Sequence, residues 1–192
     1  MSRMFELIYP EAPAPLIAIK TIPRRAEVLP VVDPSGIVVG RTVRGVCHDG
    51  SRLLHPVVHL HIISRSGCIY LQKRAASKDL YPGFWDTAVG GHVGYGETFG
   101  EALYREASEE LGLIDFNPVN IDSYVYSNDH EQELVSVYAT ITDREINPDN
   151  EEVEEGRYWK MEDVEASLGK GVVTPQFEQE FIRLKDRLLA LL

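Results

Sequence analysis

Between Gly91 and Leu113 the chain carries a glycine, five residues, Glu97, seven residues, and then the run Arg105, Glu106, Ala107, Ser108, Glu109, Glu110, Leu111, Gly112 and Leu113. Thr98 and Glu101 have the spacing of a capping box, in which hydroxyl and carboxylate satisfy each other's backbone N–H at a helix start. Gly112 stands where helices commonly stop in a left-handed conformation. The spacing predicts a helix over 99–111 with Phe99, Leu103, Ala107 and Leu111 as its apolar stripe. At about 100° per residue, Glu106, Glu109 and Glu110 crowd one side of that helix, where like charges repel. They also lie in its C-terminal half, where the helix dipole disfavours anions by about 0.3–1 kcal/mol each near the end. Glu110 projects between Phe99 and Leu103, so its carboxylate points inward and needs a cation or hydrogen-bond donors. The plainer reading is a solvated acidic face. The sharper one is a site for Mg²⁺, which prefers oxygen ligands and readily takes phosphate oxygens.

The remaining pattern surrounds this helix with strands. Val31 and Val32 precede the turn Asp33, Pro34, Ser35, Gly36, and Ile37 to Val39 resume after it, which is a hairpin signal. Val57 to Ser64 and Cys68 to Lys73 flank Ser66 and Gly67 in the same way, and Ile121 to Tyr126, Leu134 to Ile141 and Arg157 to Trp159 read as further strands. Thr174 as N-cap, Pro175 in the first turn, and Phe177, Phe181, Leu184 and Leu188 at helical spacing describe a C-terminal amphipathic helix. Strands interleaved with helices imply an α/β sandwich with a mixed central sheet.

The 192 residues suffice for one domain, expected over 27–192, preceded by a proline-containing extension over 1–26 that lies against the domain or reaches a second subunit. A homodimer through that extension or through the sheet is left open. The net charge of −11 sets an unfavourable average field for an anionic partner, so no nucleic-acid partner is expected, while a small phosphorylated ligand stays open where a divalent cation bridges it to the carboxylates. Cys47 and Cys68 lack disulfide or C-x-x-C spacing and are expected to be free thiols. Prolines and acidic residues near the N-terminus fit neither a signal peptide nor a membrane helix, and the expected location is the cytoplasm.

The segment from Gly91 to Leu113, glycines included, resembles the box of the Nudix hydrolase superfamily. The resemblance implies a Nudix-type α/β/α sandwich and a Mg²⁺- or Mn²⁺-dependent pyrophosphohydrolase acting on a nucleoside diphosphate linked to another moiety, or on a related organic diphosphate. It also implies that Glu106, Glu109 and Glu110, helped by the backbone carbonyl of Gly90, are the metal ligands. Arg105 and Glu97 would hold those carboxylates in place, and a carboxylate such as Glu109 would orient or deprotonate the attacking water. The competing class is a nucleotide-binding module that keeps the fold without catalysis, but such a chain usually lacks box carboxylates.

A looser likeness extends over about residues 30–180. His48, His55 after Leu54, His92 after Gly91, and the pair Glu131 and Glu133 before Leu134 resemble the metal-dependent isopentenyl diphosphate isomerase branch of the same superfamily. This implies a second metal site at His48, His55, His92, Glu131 and Glu133. The isomerase carries a catalytic cysteine just before the Gly-His pair, and this chain has Gly90 there, which favours hydrolysis. Two downstream residues compete as general base, Glu133 and Glu152, and sequence does not separate them. His59 and His61, at i and i+2 on one strand face, are expected in surface or interface packing. Tyr81, Phe84, Trp85 and Tyr95 surround the entrance to the box, where stacking on a base and plain packing are both open.

Overall fold

The computed structural model describes residues 5–78, 80–146, 148 and 153–192. The elements in chain order are β1 Val28–Val32, β2 Val38–Val43, α1 Arg44–Cys47, β3 Leu54–Ile63, β4 Ile69–Arg74, β5 Trp85–Asp86, β6 Val89–His92, α2 Phe99–Leu111, β7 Val119–Ser127, β8 Gln132–Ile141, β9 Val153–Trp159, α3 Met161–Ser167 and α4 Pro175–Leu189. One sheet runs β5-β4-β3-β8-β7, with β6 paired to β3 and β9 paired to β4, while β1 and β2 form a separate antiparallel pair. The larger sheet is mixed and flanked by helices, as the pattern of strands and helices implies. Among the described residues no helix is long and apolar enough to cross a membrane.

Contacts divide the chain into two compact units. The first contains the described residues through Val58, Gly91–Leu103 and Asp122–Val137. Its β1–β2 hairpin turns at Asp33, whose Oδ1 accepts from the N–H groups of Ser35 at 2.8 Å and Ile37 at 3.1 Å. The N-terminal stretch lies against this hairpin in the same chain, with parallel bridges from Ile8 to Ile37 and from Leu16 to Arg41.

The second unit contains His59–Gly90, Tyr104–Ile121 and Tyr138–Leu192. Here β4 pairs antiparallel with β9, from Ile69 opposite Trp159 to Arg74 opposite Val153. Helix α4 begins as its sequence dictates: Thr174 Oγ1 accepts from Phe177 N at 3.2 Å and donates to Asp86 Oδ1 at 3.0 Å. Phe177, Phe181, Leu184 and Leu188 are buried along its inner stripe.

That stripe includes a carboxylate. Glu180, 1% exposed, lies between Phe177 and Leu184 and receives both histidines of the second half of β3. His59 Nδ1 is 2.9 Å from Glu180 Oε2, and His61 Nε2 is 2.5 Å from Oε1. His59 and His61 are therefore not surface residues. The cause is β3 itself, all ten residues of which are buried, so an imidazole on either face must find its partner inside the protein.

Burial by itself raises the Glu180 pKa, but the charge of His59 and the hydrogen bonds from both imidazoles outweigh it and hold the carboxyl below its ordinary range. A folded pKa below the unfolded value stabilises the fold above that unfolded value, about 4.3, and the stabilisation is lost as pH falls toward the folded one. Glu180→Gln should lower unfolding stability by about 3 kcal/mol at neutral pH, because it breaks a buried charged network. Urea midpoints should show the gap between variant and parent narrowing below about pH 4.

Candidate functional site

Helix α2 forms at the residues the sequence marks. Glu101 Oε2 accepts from Thr98 N at 2.8 Å, and Thr98 Oγ1 accepts from Glu101 N at 3.2 Å. At the other end Gly112 takes a φ of 63°, a value that favours glycine, while Leu113 N and Gly112 N donate to the carbonyls of Ala107 and Ser108, each at 3.0 Å. The helix thus starts and stops so that Glu106, Glu109 and Glu110 occupy its last two turns.

Those three carboxylates are not equivalent. Glu110 is 7% exposed and accepts from Gln72 Nε2 at 3.0 Å, so the inward position read from the helical wheel is real and has a donor. The Glu106 side chain is 14% exposed, with Arg105 Nη1 2.7 Å from its Oε1. Glu109 is 61% exposed and meets the same Arg105 nitrogen at 3.3 Å. Arg105 therefore ties Glu106 to Glu109, while Glu110 is held separately by β4.

Glu97 stands before the helix, and its Oε2 accepts from Gly94 N at 2.8 Å, closing the turn that leads into α2. Gly90 lies exposed in β6. A Cβ built there meets His59 Cδ2 at 3.6 Å and Thr87 Cγ2 at 3.7 Å, which is ordinary van der Waals contact, so the fold leaves room for a side chain where the sequence has none. Glu152 lies outside the described residues.

The first unit gathers the other set. His48 follows α1, His55 lies in β3, His92 ends β6, Glu131 precedes β8 and Glu133 lies within it. One ligand atom from each of His48, His55 and His92 falls within 4.8 Å of the others, and so do atoms of His55, Glu131 and Glu133. His48 Nε2 is 3.0 Å from His92 Nε2, and His48 Nδ1 is 3.3 Å from Glu131 Oε2. Asn128 Oδ1 accepts from the N–H groups of His130 and Glu131, at 2.8 and 2.9 Å, which fixes the loop that presents Glu131.

His55 carries the clearest sign of what the cluster can hold. Its Nδ1 donates to the Leu53 carbonyl at 3.0 Å, which leaves Nε2 as a lone-pair nitrogen. Among the described residues that Nε2 is buried without a hydrogen-bond partner. Burial, the largest influence, lowers the His55 pKa, so the ring is neutral at pH 7 with its lone pair available. A buried acceptor left unmatched costs about 1–3 kcal/mol, and a cation on Nε2 removes that cost. A donor set of three imidazoles and two carboxylates fits a first-row divalent ion. The structure thus contains two residue groups able to hold a metal, which share His55 and draw on four stretches of the chain.

Other residues drop out or enter. Burial pushes the Cys47 thiol up to about 12, so it is no nucleophile at neutral pH despite standing beside His48. Trp85 is 7% exposed and packs edge-on to Trp159 at 5.0 Å, while Tyr95 is turned to the N-terminal stretch, accepting from Ala14 N at 2.9 Å. Gln72 was not marked by the sequence, since one polar residue in a strand gives no hint of which carboxylate it will meet. Glu180, by contrast, carries the same signal as Glu110, a carboxylate inside an apolar helical stripe.

Comparison with known proteins places this architecture. An uncharacterised Nudix hydrolase of Nostoc sp. is 33% identical over 108 residues, 56% of this chain and 63% of that protein. An isopentenyl-diphosphate Delta-isomerase of Leifsonia xyli subsp. xyli is 31% identical over 166 residues, 81% of this chain and 85% of that one. In fold, a crystal structure of a Deinococcus radiodurans protein is similar with a TM-score of 0.73 at 24% identity, covering 82% of this chain and 98% of the other. The NUDIX domain model matches residues 53–177. The chain therefore belongs to the NUDIX domain family.

Proposed function

We propose that the protein is a divalent-cation-dependent hydrolase that cleaves the diphosphate linkage of a small organic diphosphate, such as a nucleoside diphosphate joined to another moiety. The observation that carries this reading is Glu110: a carboxylate buried at the end of α2, hydrogen-bonded to Gln72, one turn from the largely buried Glu106. A helix has no intrinsic reason to bury two acidic side chains at its negative end.

Glu106 and Glu110, with Glu109 and the Gly90 carbonyl, would hold the cation, for which Mg²⁺ or Mn²⁺ suits an all-oxygen donor set. Bound there, such an ion supplies charge neutralisation of the diphosphate and lowers the pKa of water. The chain's own residues do the rest. Arg105 fixes the rotamers of Glu106 and Glu109 through its hydrogen bonds to both. Gln72 holds Glu110 toward its position on the helix, and the Glu97 carboxylate fixes the turn that starts α2. Glu109, held by Arg105 yet 61% exposed, is the box carboxylate that water reaches most readily and would orient or deprotonate the attacking one, and Glu133 and Glu152 remain the downstream candidates for that proton.

A second reading rests on a specific observation, the convergence of His48, His55, His92, Glu131 and Glu133, together with the isomerase name of the Leifsonia relative. In this reading the protein moves a proton on an isoprenoid diphosphate without breaking it. Gly90 favours hydrolysis, because the resemblance requires a cysteine at that position and the space for one is left unused. The histidine cluster then serves as a second cation site of a hydrolase.

Two outcomes are expected. Glu110→Gln should retain the fold, judged by circular dichroism, and lose Mg²⁺-dependent phosphate release from a panel of diphosphates by at least about a hundred-fold in kcat/KM; full activity in this variant would rule out the reading. His55→Ala should bind Zn²⁺ or Mn²⁺ at least about a hundred-fold more weakly than the parent protein in titrations of chelator-treated samples, with binding at the α2 carboxylates unchanged.

A further inference from the structure

The stretch that precedes β1 touches the box through one side chain. Tyr9 reaches the turn before α2, and its hydroxyl donates to the Glu97 carbonyl at 3.0 Å while accepting from Gly96 N, also at 3.0 Å. One phenol oxygen thus bonds backbone groups of two adjacent residues in a turn whose Gly96 sits at a φ of 98°. Within the same turn, Glu97 N donates to the Gly94 carbonyl at 3.0 Å and the Glu97 carboxylate accepts from Gly94 N at 2.8 Å. Tyr95, between them, donates its N–H to the Val28 carbonyl at 2.9 Å, takes the Tyr9 ring edge-on at 5.5 Å, and lies under the Arg41 guanidinium at 5.2 Å.

The strand-like path that delivers Tyr9 is built into β2 and its turn. Ile8 N donates to the Gly36 carbonyl at 3.0 Å, Val38 N returns a bond to the Ile8 carbonyl at 2.8 Å, and further along Ile17 N and Arg41 N exchange bonds with the Arg41 and Pro15 carbonyls at 2.9 and 2.8 Å. The sequence leaves space for that path. A Cβ at Gly36 would lie 2.6 Å from the Glu6 carbonyl oxygen, and one at Gly40 would collide with the Ile17 side chain. Residues 5–17 are therefore docked by backbone pairing that two glycines permit.

We infer that Tyr9 is a positioning residue of the box: through the docked segment 5–17 it fixes the peptide groups of Gly96 and Glu97, and so the turn from which α2 starts. The inference rests on the reading of Glu97 and α2 as parts of a hydrolytic site. The bonds within the turn leave the Gly96 N–H and the Glu97 carbonyl to Tyr9, glycines at 94 and 96 restrict the backbone less than other residues would, and a displacement of about 1 Å at a catalytic helix can cost up to a hundred-fold in rate. Tyr9 is half-buried, and burial, the largest influence, raises its pKa above the ordinary phenol value, so the hydroxyl proton that bonds Glu97 is kept across neutral and mildly alkaline pH.

Tyr9→Phe tests this, because it keeps the ring on Tyr95 and removes only the oxygen. With the full chain and Mg²⁺, the expected result is a kcat lower by about ten-fold with KM changed by less than about two-fold. Amide hydrogen exchange at Gly96 should quicken by about ten-fold while the core of β3 keeps its protection. Tyr9→Ala, which also removes the ring contact, should exceed Tyr9→Phe in both effects. Unchanged exchange at Gly96 in Tyr9→Phe would overturn the inference, and so would faster exchange with kcat intact. If the parent protein itself releases no phosphate from any diphosphate, the hydrolytic reading fails, and the exchange measurement still judges whether Tyr9 holds the turn.

Discussion

The structure depends on a single strand that is buried along its whole length and yet carries three histidines. In β3 every residue from Leu54 to Ile63 is shielded from water, so each imidazole must be matched by another buried group. His59 and His61 are matched by Glu180, which has to enter the apolar stripe of α4 to reach them. His55 is matched on one nitrogen only, by the Leu53 carbonyl. Its other nitrogen is left for something that can accept a lone pair, and the side chains of His48, His92, Glu131 and Glu133 gather in that same region. One strand therefore hydrogen-bonds to a terminal helix in one unit and contributes to residue groups that could hold a cation in the other.

The box helix follows the same rule with opposite charge. Glu110 and Glu106 are buried or nearly so near the negative end of a helix, where the dipole disfavours anions, and Gln72 and Arg105 are among the donors that meet them. In the hydrolytic reading a divalent ion bound there would also offset the field that a diphosphate meets on approaching a chain with a net charge of −11. Relatives of this chain carry both hydrolase and isomerase names, and the choice made between the two readings rests on position 90, where the resemblance implies a cysteine in an isomerase. Glycine there supplies no acid or base and no nucleophile, whereas the α2 carboxylates are complete.

Much of this is written in local sequence. The limits of α2 follow from Thr98, Glu101 and Gly112, and those of α4 from Thr174 and its apolar stripe, because capping and helical periodicity act over a few residues. The short α1 and α3 and the two-residue β5 were not legible, since helices and strands of that length owe their existence to what packs on them. The partners of His59, His61 and Glu110 were equally out of reach: Glu180 is more than a hundred residues away in sequence, and Gln72 lies on a strand whose register is set by its neighbours. The histidine cluster was readable only through resemblance, because its members come from four separate stretches of the chain. The role of residues 5–17 was not readable at all, since it consists of backbone hydrogen bonds and one phenol oxygen.

The central claim is that this site breaks a diphosphate rather than rearranging the group attached to it. Reaction of the Mg²⁺-loaded protein with isoprenoid and nucleoside diphosphates in water enriched in ¹⁸O and deuterium tests it most directly, with products read by mass spectrometry. The expected result is one ¹⁸O atom in a released phosphate product for each turnover, with no deuterium in recovered substrate. Deuterium entering an intact isoprenoid diphosphate, without labelled phosphate from any substrate, would contradict it.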